Sequence, residues 1–216
     1  ATIVNAIEIG RTVYSNIKKS ITYLLAGNLA AIIAIVFAVV IKWENPFTTL
    51  QLLFINLIND SLPAIALAFE VAEPNTMNKP PRDINEGILQ GGTSSVILIR
   101  GIIISIVVII AQYLGNKTSP ILGAAMAFST ITLSRIFQTL PARSDNISVF
   151  NIGVAKNKYV LGAIGICLLL YLIVLFPGLR AIFSIPNYFG VMEFAICILL
   201  ALISTVLMEL VKIFKK

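Results

Sequence analysis

Asn56, Asn59 and Asp60 stand at positions i, i+3 and i+4 of a long apolar run, so a regular helix turns three oxygen-bearing side chains to one face. Pro63 has no N–H to give, which leaves the carbonyl of Asn59 free to turn toward the same cavity. Asn28, in the preceding apolar run, lies at roughly the depth of Asp60 when both helices rise about 1.5 Å per residue. A carboxylate among hard neutral oxygens suits Ca²⁺, with Mn²⁺ second, and disfavours Cu⁺ or an N/S-ligated Zn²⁺. Asp60 is also the single acid among ten that falls deep inside an apolar run. A charge at the centre of the hydrocarbon costs at least about 2.5 kcal/mol, and an aspartate is too short to snorkel out. Two readings stand at this point. Asp60 is a cation ligand, or it is a structural acid, bonded across helices to Asn28 or paired with Arg135.

Other chemistry is excluded by what the sequence lacks. The 216 residues contain no histidine, which removes His-ligated zinc, Ser-His-Asp hydrolysis and imidazole proton shuttles. Cys167 and Cys197 sit in separate apolar runs without CxxC spacing and read as packing residues. Neither a base-stacking nor a phosphate-cradling motif is present, so no nucleic-acid partner is expected.

The elements that must hold these residues are membrane helices. Hydrophobic residues make up 58% of the chain and charged residues 12%, about half the charge of a soluble domain, with a mean hydropathy of +0.95. Six stretches, 21–41, 47–69, 94–114, 120–140, 159–177 and 188–211, are long and apolar enough to cross a bilayer. Placing the N-terminus in the cytoplasm puts eleven Lys and Arg on that side against three, Lys42, Lys117 and Arg180, on the other. Both termini are then cytoplasmic, and the net charge of +6 faces the anionic leaflet. The expected fold is an all-α membrane protein: a cytoplasmic stalk helix over 1–20, then a six-helix transmembrane domain over 21–216 with cytoplasmic connectors near 70–92 and 142–158. Ile3, Ile7, Gly10, Tyr14 and Ile17 recur at helical spacing in the stalk, a stripe for leaning on a neighbour or for a surface helix. Arg135 is about 8 Å from the inner end of its span, leaving snorkelling or a role beside Asp60 open. Arg100 is expected to snorkel, and Gln51, Thr130 and Thr132 to serve as interhelical hydrogen-bond glue.

These residues resemble a known family, the P-type cation-transporting ATPases, and within it the calcium pumps of the sarcoplasmic-reticulum-like group with their bacterial members. Glu8-Ile9-Gly10-Arg11, Tyr14 and Asn16-Ile17-Lys18-Lys19 resemble the stalk of the fifth membrane helix. The run from Gln51 to Ala64, which includes Asn56, Asn59, Asp60 and Pro63, resembles the sixth. Met77, Lys79-Pro80-Pro81-Arg82 and Glu86 are similar to the connector that follows it. The resemblance implies helices five to ten of the family's ten, and a membrane-embedded cation-binding half of an ATP-driven Ca²⁺ pump in a bacterial plasma membrane. ATP and Mg²⁺ would act only through partner domains outside this chain: the actuator, phosphorylation and nucleotide domains, alongside the first four membrane helices. Alone, the chain is expected to be catalytically inactive. By resemblance Asn28, Asn56 and Asp60 match positions that give side-chain oxygens to calcium, Asn56 and Asp60 in the site that survives and Asn28 in one that is lost, and Asn59 stands where two-site pumps usually carry threonine. Ala31 and Arg135 stand where such pumps carry glutamates, which implies one Ca²⁺ per cycle, with Arg135 in place of the second ion and a possible link to proton counter-transport. A secondary divalent-cation transporter and a Mn²⁺ pump are the alternatives.

Overall fold

The computed structural model describes residues 2–74, 76–78, 80 and 87–214, and all regular structure among them is helical. Lys79, Pro81, Arg82 and Glu86 of the connector lie outside the described residues. The main helices are α1 (Thr2–Val40), α2 (Thr49–Phe54), α3 (Ser61–Ala68), α4 (Thr93–Asn116) and α5 (Pro120–Ala142). They are followed by a short α6 (Val149–Ile152), α7 (Lys158–Val174), a short α8 (Pro177–Arg180) and α9 (Val191–Phe214). A single π turn, Ile55–Asn59, joins α2 to α3. Among the described residues, five helical stretches are long and apolar enough to span a bilayer, and α7, with 17 residues, is a shorter apolar sixth. The chain is an all-α membrane protein.

Helix α5 is the centre of the bundle and touches α1, α3, α4, α7 and α9. Its composition explains the position: Gly, Ala, Ser and Thr dominate its first half and let neighbouring backbones approach. α1 packs on α4, with Ala26 and Leu29 against Gly101, and carries Ala26, Ala30, Ala34 and Ala38, four fully buried alanines one turn apart. Between α4 and α5 the fit is closer still, because a Cβ on Gly115 would stand 2.6 Å from the Cα of Gly123. At the end of the bundle where α2 begins, Phe54, Phe128, Phe183 and Tyr171 form an edge-and-stack cluster. Thr48 and Gln51 close a capping box at the start of α2, and the Gln51 amide also donates to the Phe183 carbonyl at 2.7 Å.

The opposite end of the bundle is ionic. α1 runs unbroken through the stalk, where Ile3, Ile7 and Ile17 are exposed while Asn16 and Lys19 are buried. The segment after α3 carries backbone carbonyls and acids rather than an apolar surface, and it selects polar partners. Asn16 donates to the carbonyls of Ala68 and Glu70, Ser20 to that of Ala64, and Lys19 pairs with Glu73 at 3.1 Å. Arg100 does not snorkel. It is buried, paired with Asp145 at 3.0 Å and bonded to the Pro141 carbonyl, because the loop after α5 brings an acid over it.

Candidate cation site

The sequence around Asp60 does not continue as a regular α-helix. The Asp60 N–H bonds the Ile55 carbonyl at 2.8 Å, an i to i+5 bond, and Pro63 two positions into α3 helps keep the ladder from closing with regular spacing. The widened turn changes which side chains share a face. Asn56 and Asp60 line one open cleft of about 520 Å³ together with Asn28 and Ala31 of α1, walled by Leu24, Ile32, Ile35 and Leu52. Asn59 rotates away, is buried, and donates from Nδ2 to the Thr132 carbonyl at 3.1 Å. The three-residue face expected from regular helical spacing is therefore corrected to two, because a π turn advances each residue by less than 100°. The freed Asn59 carbonyl is also occupied, since the Tyr23 hydroxyl lies 3.3 Å from it. Thr132 contributes its carbonyl, whereas its hydroxyl is buried without a hydrogen-bond partner and is not the expected interhelical glue.

Asp60 is buried and paired. Both contacts from Arg135 fall on Oδ1, Nε at 2.9 Å and Nη2 at 2.7 Å, and Arg135 itself is fully buried. Its Nη1 donates to the Tyr23 carbonyl at 2.6 Å and to Gln138 Oε1 at 3.3 Å, and its guanidinium lies 4.2 Å from the centre of the Tyr23 ring. Arg135 thus reaches inward to Asp60 instead of snorkelling. An aspartate so paired is not an unopposed charge: its desolvation is offset by the guanidinium, which in turn rests on the Tyr23 ring face.

Below this pair, toward the ionic end, a second one joins the same two helices just beyond their ends. Arg143 grips Glu70 from two nitrogens at 2.8 Å each, and both side chains are buried. Arg143 also donates to the carbonyls of Gly153 and Val154, and Asn157, the N-cap of α7, donates to Glu70 Oε2 at 2.8 Å. Sequence reasoning placed Glu70 and Arg143 in aqueous connectors. The available signal was their position one and three residues past apolar spans, where a charge either faces water or finds a partner.

Chemically, the cleft presents one carboxylate and two side-chain amides, all oxygen donors. Among the described residues no three His, Cys, Asp or Glu gather anywhere, so a soft or imidazole-rich metal centre is not built here. Hard cations take six to eight oxygens, more than Asn28, Asn56 and Asp60 supply, and the cleft that they line is open.

Comparison with known proteins places this geometry in a family. Residues 44–214 match the model described as cation transporting ATPase, C-terminus. The chain is 57% identical over 211 residues to a calcium-transporting ATPase of Listeria monocytogenes, covering 98% of the chain and 24% of that protein. It is 56% identical over 213 residues to calcium-transporting ATPase 1 of Lactococcus lactis, covering 99% and 24%. At greater distance, calcium-transporting ATPase type 2C member 1 of Mus musculus is 32% identical over 187 residues, 85% of the chain and 20% of that protein. The chain spans about a quarter of the length of the first two relatives.

Proposed function

The chain belongs to the P-type cation-transporting ATPases, as part of their C-terminal region, and on that premise we propose that it forms the ion-binding half of the membrane domain of a Ca²⁺ pump. The observation that carries this reading is a buried carboxylate, Asp60, that lines an open cleft with Asn28 and Asn56. Asp60 and Asn56 are the primary ligands in this reading and Asn28 a lesser one, while Asn59 holds the π turn against α5 through Thr132. The hydrogen bond and the ion-pair contact of Arg135 both fall on Oδ1, and Oδ2 is the atom assigned to the ion. The remaining oxygens come from membrane helices outside this chain.

Arg135 brings a fixed positive charge to within 3 Å of the ligand carboxylate, and a second divalent ion beside it would meet strong repulsion. One Ca²⁺ per cycle follows. Proton counter-transport fits the same arrangement, because Asp60 must change partners as the ion leaves. The ends rich in Lys and Arg lie in the cytoplasm of a bacterial plasma membrane. ATP and Mg²⁺ act through the actuator, phosphorylation and nucleotide domains, whose movement pulls on the stalk, residues 1–20 of α1, and so on Tyr23, one turn beyond.

In the full-length protein, Asp60→Asn is expected to abolish Ca²⁺-dependent ATP hydrolysis and Ca²⁺ uptake into vesicles. Unchanged uptake would overturn the reading. Parallel uptake of Mn²⁺ and Ca²⁺ separates the two pumps, and ATP-independent uptake by these 216 residues alone in liposomes would identify a secondary transporter.

A further inference from the structure

Gly27 lines the cleft one turn beyond Tyr23 on α1, and the guanidinium of Arg135 occupies the space a side chain would need. A Cβ built on Gly27 would fall inside that guanidinium, against Nη1, Cζ and Nε. The overlap is with the rigid, fully buried head of the arginine rather than a flexible tail. The head has little freedom to give way, since it is tied to the Tyr23 carbonyl, to Gln138 and to Asp60, and stacked on the Tyr23 ring. Gly27 also pays a helix-propensity cost relative to alanine in the middle of α1. Only close approach accounts for it, because Gly27 is in ordinary helical conformation and is absent from the positive-φ glycines.

We propose that Gly27 is a positioning residue for the cation site: its missing side chain is the notch that admits the Arg135 guanidinium to Asp60, so that Gly27 and Arg135 act as one unit in setting the charge the ion meets. The proposal rests on the reading of Asp60 as an ion ligand. With any side chain at 27, Arg135 is displaced from Asp60, and the carboxylate facing the cleft changes its partner. Conversely, once the arginine is gone the notch has no purpose and alanine fits.

The test is a double-variant cycle on the full-length protein with two readouts. Gly27→Ala is expected to lower the thermal unfolding midpoint in the presence of Arg135, and to raise it in an Arg135→Ala background, where only the gain in helix propensity remains. For Ca²⁺-dependent ATPase activity, Gly27→Ala is expected to shift the half-maximal Ca²⁺ concentration at least about fivefold with Arg135 present and less than about twofold without it. If Gly27→Ala alone fails to fold while the double variant folds, that rescue supports the proposal. Shifts of the same sign and size in both backgrounds would overturn it, since they would report helix packing and not the arginine. The stability cycle contains no ion, so it judges the notch independently. Loss of the ion reading would show separately, as Ca²⁺ uptake that survives Asp60→Asn.

Discussion

Two buried arginine–carboxylate pairs connect the same parts of the bundle, Asp60 with Arg135 at the start of α3, and Glu70 with Arg143 just beyond α3 and α5. In the Glu70 pair every carboxylate oxygen is engaged: Oε1 by Arg143, Oε2 by Arg143 and Asn157, with the spare guanidinium nitrogen on two loop carbonyls. The Asp60 pair is lopsided, with both guanidinium contacts on Oδ1 and the residue opening on a cleft. Burial and charge are nearly the same in the two cases. What separates a brace from a proposed binding site is whether the carboxylate has coordination left to offer.

The largest effect that would test this contrast is in the brace. Glu70→Ala leaves Arg143 buried without its anion and is expected to cost about 3 to 5 kcal/mol, read as a fall in the denaturation midpoint of the purified protein, with no rescue by Ca²⁺. A smaller loss, about 1 to 3 kcal/mol, is expected for Arg135→Ala, because the cleft lets water or a cation reach Asp60. Added Ca²⁺ should recover part of that loss by binding the native state, and equal, Ca²⁺-insensitive losses in the Glu70 and Arg135 variants would erase the distinction. Asn56→Ala, at an exposed position on the cleft, is expected to weaken Ca²⁺ binding about tenfold, or about 1.4 kcal/mol, in calorimetry while leaving stability unchanged. Asn59→Ala should do the reverse, losing about 1 kcal/mol of stability with the bond to Thr132 and leaving Ca²⁺ affinity intact.

Much of this was legible in the residues. Hydropathy gives the spans, and Asp60 stands out because no other acid lies so deep in an apolar run. Arg135 could be seen as an anomaly, but not its direction, since a long side chain about 8 Å from an interface can reach either way. The split between Asn56 and Asn59 was hidden, because a 3.6-residue period puts both with Asp60 and only the i to i+5 bond at Ile55 separates them. Glu70, Arg143 and Asn157 were missed for a different reason. They come from three separated segments, and a charge just past an apolar span looks solvated until the fold closes a partner over it. Gly27 carried no sequence signal either, since glycine in a membrane helix is common and its partner lies 108 positions away.

The central claim is that the Asp60 carboxylate is kept in the membrane for an ion. Anomalous diffraction from crystals of the full-length protein grown with Ca²⁺ tests it most directly. The account predicts a peak about 2.3 to 2.6 Å from a carboxylate oxygen of Asp60, with the Asn56 amide oxygen in the same shell. A bound ion seated elsewhere in the membrane domain, with Asp60 still held by Arg135 alone, would contradict it.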